Sequence, residues 1–94
     1  MVDLPSPDPL FHQPVRTRIA VLLAREEISF TDLKNRLGVT DGNLDAHLKK
    51  FAAAGFLHSQ TVLKGRSNTV YHLSPSGMKA FESYCLQIRG LLGG

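Results

Sequence analysis

The residues best suited to chemistry in this chain are one amide and four cations near its middle. Asn43, Lys49 and Lys50 recur at a spacing that puts them on one side of a helix, and Lys64 and Arg66 follow within a turn-like segment. An asparagine amide presents a donor and an acceptor side by side, the pair that matches an adenine edge. Lysines suit phosphates or guanine edges. Residues 42–73 hold these four cations against a single acid, Asp45, whereas residues 1–13 hold Asp3 and Asp8 and no Lys or Arg. The net charge of +3 and pI near 9.4 lean mildly towards anionic partners.

Other reactive types are scattered. His12, His47, His58, His72 and Cys85 lack the i, i+4 or Cys-x-Cys spacing of transition-metal sites. His58 and His72 can meet across a hairpin, but two exposed imidazoles alone make a poor site, so no metal or other cofactor is expected. One cysteine excludes an intramolecular disulfide and a four-cysteine zinc site. Cys85 falls in an apolar stripe and reads as a buried, inert thiol. No base lies at helical spacing from it, Asp41 and Asp45 have no pocket, and Gly38, Gly42 and Gly55 read as helix punctuation rather than a phosphate loop. The expectation is therefore no catalysis. The longest apolar run, Ile19 to Ala24, is too short to cross a bilayer. With no charged start and apolar core of a signal peptide, a cytoplasmic location is expected.

The elements that must position these residues follow from periodicity. At 94 residues there is room for one core. Residues 1–9, with Pro5, Pro7 and Pro9, read as a flexible arm, and residues 10–92 as the folded domain. Pro14 suits a first helical position, and Val15, Ile19, Leu22 and Leu23 then form one stripe. Ile28–Phe30 is short and extended. Thr31 is expected to cap a second helix containing Leu33 and Leu37, ended by Gly38. Thr40 caps a third, with Val39 and Leu44 as a hydrophobic staple and Leu44, Leu48 and Phe51 inside. Residues 56–63 and 69–73 read as strands of a hairpin with a basic tip at 64–68. Ser74–Pro75 opens a long last helix. The fold class is α+β, mainly helical, with the plan of a winged helix-turn-helix and a C-terminal dimerisation helix.

With Leu44, Leu48 and Phe51 inside, the outer face of the third helix carries Gly42, Asn43, Ala46, Lys49, Lys50 and Ala53. Its small residues permit close approach to a major groove. Two outward lysines mean little alone, since most amphipathic helices carry charge outside. The basic tip at Lys64 and Arg66 strengthens the reading, because Arg suits a narrow minor groove.

The run Pro14–Leu23, the run Phe30–Leu44 with its Thr-Asp-Gly-Asn-Leu segment, His47-Leu-Lys-Lys, Ala54-Gly-Phe, Gly65-Arg66 and Thr69–Gly77 resemble the small stand-alone prokaryotic winged-helix regulators related to MarR and ArsR. The resemblance spans about residues 8–92. It implies a homodimeric regulator that binds double-stranded DNA, with Thr40, Gly42, Asn43, Ala46, His47, Lys49, Lys50, Lys64 and Arg66 as the candidate DNA contacts. Asp45 departs from the small hydroxyl residue expected there; it either accepts from a cytosine amino group or pairs with Lys49 at i+4. Phe51 replaces a usual leucine, and Ser67-Asn68 a more basic or proline-bearing tip.

The last helix has more apolar surface than so small a core can cover. Leu10, Phe11 and Val15, with Phe81, Tyr84, Cys85, Ile88, Leu91 and Leu92, form the expected dimer interface, and Leu86 adds exposed apolar surface. The expected role is a transcriptional repressor that blocks polymerase. The competing readings are a winged helix used for protein contact and, behind it, a metal- or redox-responsive regulator. Any small-molecule effector is left open.

Overall fold

A computed structural model describes residues 7–93 apart from Gly65, and the side chains of all of these except residues 63, 64, 66 and 67. The element order is α1 (Pro14–Arg25), β1 (Ile28–Ser29), α2 (Phe30–Leu37), α3 (Asp41–Ala53), β2 (Leu57–Lys64), β3 (Arg66–Leu73) and α4 (Pro75–Leu91). The three strands make one antiparallel sheet in the order β1-β3-β2. This is a winged helix domain, mainly helical with a small sheet, as the periodicities predict.

The helix boundaries have local causes. Gln13 caps α1 by accepting from the Arg16 N–H at 2.7 Å, with Pro14 at the first helical position. Gly38 ends α2 with φ 67°, a left-handed value that costs a residue with a Cβ. Thr40 caps α3 and Ser74 caps α4, each through its hydroxyl. One cap differs from expectation. Helix α2 begins at Phe30, and Ser29 rather than Thr31 accepts from the Asp32 N–H. Pairing of Ser29 with Val70 holds residue 29 in extended geometry, and an N-cap needs that geometry. The hairpin strands also run further than the composition suggests, with Val62 opposite Asn68 and Lys64 opposite Arg66.

Ile19, Leu23, Leu33, Leu37, Leu44, Leu48, Phe51 and Leu73 form the core where α1, α2 and α3 meet the sheet. Phe11 is also fully buried, its ring centroid 5.5–5.8 Å from those of Phe51, Phe56, Phe81 and Tyr84. The chain before α1 folds back to achieve this: the Asp8 carbonyl accepts from the Phe11 and His12 N–H groups, and the Asp8 carboxylate accepts from Leu10 N–H. The Asp8 N–H reaches Gln87 of α4 at 3.1 Å. Of the expected flexible arm, residues 1–6 lie outside the described residues.

Two side chains expected to face a second subunit are covered by their own chain. Phe11 is enclosed as described, and Tyr84 is buried beside it with its hydroxyl 2.9 Å from His12 Nδ1. Cys85, expected to be buried, is exposed. The inward line of α4 is Gly77, Phe81, Tyr84 and Ile88, and residue 85 turns off that line. Gly77 sits against the Phe56 carbonyl so closely that a Cβ there would collide with it. That contact, with Ser74 and Ser76 donating to the Gly55 carbonyl, locks the start of α4 onto the turn after α3.

Candidate nucleic-acid interface

Helix α3 is held by three inward side chains. Leu44 and Phe51 are fully buried and Leu48 nearly so. Their spacing fixes the rotation of the helix about its axis. Gly42, Asn43, Ala46, Lys49 and Lys50 are consequently exposed along one side. Nothing lies within 4 Å of where a Gly42 side chain would begin, so its surface is open to close approach.

Electrostatics distinguish the two lysines. Lys49 Nζ lies 2.9 Å from Asp45 Oδ2. That hydrogen bond, with the attraction behind it, raises the Lys49 pKa. Lys50 forms no ion pair among the described residues. Asp45 therefore pairs one turn ahead along the helix. Asp41, at the first helical position, pairs with Lys34 of α2 at 3.0 Å, linking the two helices across the turn.

Thr40 and His47 are less free than the outer face. The Thr40 hydroxyl accepts from Asn43 N–H at 3.1 Å, which sets the start of the helix. His47 is half-buried, and its Nδ1 lies 3.2 Å from Arg16 Nη1 of α1. Because the guanidinium can only donate, His47 accepts at Nδ1 and carries its hydrogen on Nε2. Burial, then the charges of Arg16 and Lys50, push its pKa below the usual histidine value. It therefore offers a neutral donor.

Arg16 joins this site although no sequence pattern marks it. It also donates to the Leu10 carbonyl at 2.6 Å and the Pro9 carbonyl at 3.3 Å. One guanidinium thereby joins the segment before α1 to the middle of α3. Its partners are 31, 6 and 7 residues away, so no local pattern signals the role. Tyr71 of β3 is a second such residue: burial, and then the Asp45 charge, push the pKa of its half-buried phenol up.

The hairpin lies after α3 in the chain, with β2 contacting that helix. Lys64 and Arg66 face one another in backbone register at its far end. Their side chains lie outside the described residues.

On α4, Leu86 is 58% exposed and Met78 is exposed on the first turns, and Leu92, just past the helix end, is 80% exposed. Leu10, Val15, Phe81 and Ile88 pack against the core while keeping part of their surface open. Leu91 is also only partly covered. Among the described residues no helix is long and apolar enough to cross a membrane.

The chain is similar to known proteins. A family model described as a winged helix DNA-binding domain matches residues 15–92. The chain is 40% identical over 81 residues to the uncharacterized protein MJ0432 of Methanocaldococcus jannaschii, covering 84% of this chain and 88% of that one. It is similar to the solved structure of a transcriptional regulator homologue from Pyrococcus horikoshii OT3, with a TM-score of 0.83 and 26% identity over 90% of this chain and 86% of that chain. PadR of Bacillus subtilis, solved in complex with operator DNA, shares the fold at a TM-score of 0.68 and 20% identity, covering 78% of this chain and 47% of that one.

Proposed function

The chain belongs to the winged helix DNA-binding domain family, and on that premise we propose that it is a cytoplasmic, homodimeric transcriptional repressor rather than an enzyme. The observation that carries the DNA-binding assignment is the outer face of α3. Gly42, Asn43, Ala46, Lys49 and Lys50 stand exposed on a helix whose opposite side is fixed in the core by Leu44, Leu48 and Phe51.

In this reading α3 enters a major groove with its first turns against base edges. Asn43 reads one base, and Gly42 and Ala46 allow the backbone to come near. Lys50 meets a phosphate, while Lys49 stays beside it on the same face, paired with Asp45. His47 donates from Nε2, its orientation set by Arg16, and Thr40 holds the helix start. The hairpin carries Lys64 and Arg66 towards the neighbouring minor groove. Phosphate contacts position the protein and the Asn43 contact specifies.

The second copy docks on α4. Leu86, Leu91 and Leu92, with the open parts of Leu10, Val15, Phe81 and Ile88 and the exposed Cys85, form the apolar surface. Phe11 and Tyr84 support it from beneath. A two-fold pair places two α3 helices about one DNA turn apart, roughly 34 Å, and predicts a near-palindromic site. Bound there, the dimer obstructs polymerase.

The test is selection from random duplexes at two salt concentrations, followed by mobility shifts. A palindromic motif with half-sites one turn apart is expected. Asn43→Ala should relax preference at one position per half-site, costing about 1–3 kcal/mol there. A folded protein that enriches no duplex at either salt concentration refutes the assignment.

A further inference from the structure

The outer face of the hairpin carries a feature that DNA binding does not use. Leu73, Tyr71 and Leu57 turn towards the core, so His58, Gln60, Val70 and His72 occupy the opposite face by alternation. His58 and His72 are direct partners in the antiparallel register. Their ring centroids stand 4.7 Å apart with the ring planes inclined by 41°.

That separation falls within the range that two imidazoles take on a shared ion. With metal–nitrogen bonds of about 2.0–2.1 Å and a ring centroid about 1.1 Å behind each nitrogen, ligands at 90–110° place their centroids about 4.5–5.2 Å apart. One tautomer is already set. His72 Nδ1 lies 2.9 Å from the Leu73 carbonyl oxygen, which can only accept, so Nδ1 carries the hydrogen and Nε2 keeps its lone pair. A backbone carbonyl behind the distal nitrogen is the usual outer partner of a metal-bound histidine. The strands fix both Cα positions, so little backbone ordering remains to oppose binding. Among the described residues no group of three or more His, Cys, Asp or Glu is placed to hold an ion, which leaves the other coordination positions to water.

We propose that His58 and His72 form a cross-strand clamp for a divalent transition-metal ion of the kind that prefers imidazole, with open positions on the solvent side. Copper(II) binds more tightly than zinc(II) there, following the general order for nitrogen ligands, and magnesium, which prefers oxygen, does not bind. The ion staples the base of the hairpin next to the start of α4. The inference does not depend on DNA binding.

The experiment uses the tag-free full chain stripped with chelator. Calorimetric titration with Cu²⁺, Zn²⁺ and Mg²⁺ should give one site per chain for the first two and none for the third. His58→Ala and His72→Ala should each weaken Cu²⁺ binding at least tenfold, while His12→Ala leaves it within twofold. In the unaltered protein, substoichiometric Cu²⁺ should broaden the imidazole NMR signals of His58 and His72 before those of His12 and His47; this arm needs no variant to fold. Earlier broadening of His12 or His47, full Cu²⁺ uptake by a folded variant carrying both His58→Ala and His72→Ala, or no Cu²⁺ uptake by the unaltered chain overturns the proposal.

Discussion

Asp45 offers the sharpest perturbation of the DNA-facing helix. Its carboxylate holds Lys49 at 2.9 Å, so the pair presents no net charge to a duplex, whereas Lys50 pairs with no carboxylate among the described residues. Each phosphate neutralised adds about 0.9 to the slope of log affinity against log salt, so losing one cation from both copies of a dimer should remove about 1.8. For Lys50→Ala, a rise from 50 to 200 mM salt then shrinks the deficit against the unaltered protein about tenfold. Asp45→Asn should do the opposite: it frees Lys49, raises affinity for every duplex and steepens the slope by up to about 1.8. Asp45→Asn combined with Lys49→Ala should return the slope to its original value, since a neutral pair has been removed as a pair. The assay is fluorescence anisotropy on one selected and one scrambled duplex over a salt series. Unchanged slopes in folded Lys50→Ala and Asp45→Asn variants would refute the placement of this face on DNA. If Asp45→Asn instead weakens binding at one base position only, Asp45 reads a cytosine and its pairing with Lys49 breaks on binding.

Other outcomes follow from the packing and the charges. Gly77→Ala should destabilise the domain by about 1–3 kcal/mol, because the added Cβ meets the Phe56 carbonyl. Gly90→Ala, in open space on the same helix, should stabilise it by about 0.5–1 kcal/mol, and denaturant midpoints compare the two. His47 titrates below its ordinary value of 6.5, so the native chain binds fewer protons than the unfolded one as pH falls through that range. Stability present above pH 6.5 should therefore be lost on acidification, and His47→Gln should lose less between pH 7.5 and 5 in urea titrations. Leu86→Glu or Leu92→Glu should shift sedimentation towards monomer without changing the thermal midpoint of a dilute sample; a persistent dimer places the interface elsewhere. Charge at Ile88 is a poorer probe, since that residue also packs on the core.

Local pattern in the chain is enough to set the order of elements and the side of α3 that faces out. Apolar spacing at Leu44, Leu48 and Phe51 sets the helix rotation, and Pro14, Gly38, Thr40 and Ser74 mark boundaries through local chemistry that acts within a few residues. The pairing of Asp45 with Lys49 is equally legible, since i and i+4 meet on any helix. Tertiary structure decided whatever depends on contacts between distant segments. Ser29 became the cap of α2 only because β3 holds it extended. Phe11 and Tyr84 read as surface until the chain before α1 folded back over them, and Cys85 read as core until Gly77 and Tyr84 defined which line of α4 points inwards. Arg16 gained its role from partners on two other segments, and the His58–His72 pair from strand register. Periodicity reports which side of an element is apolar; only the assembled chain reports what covers that side.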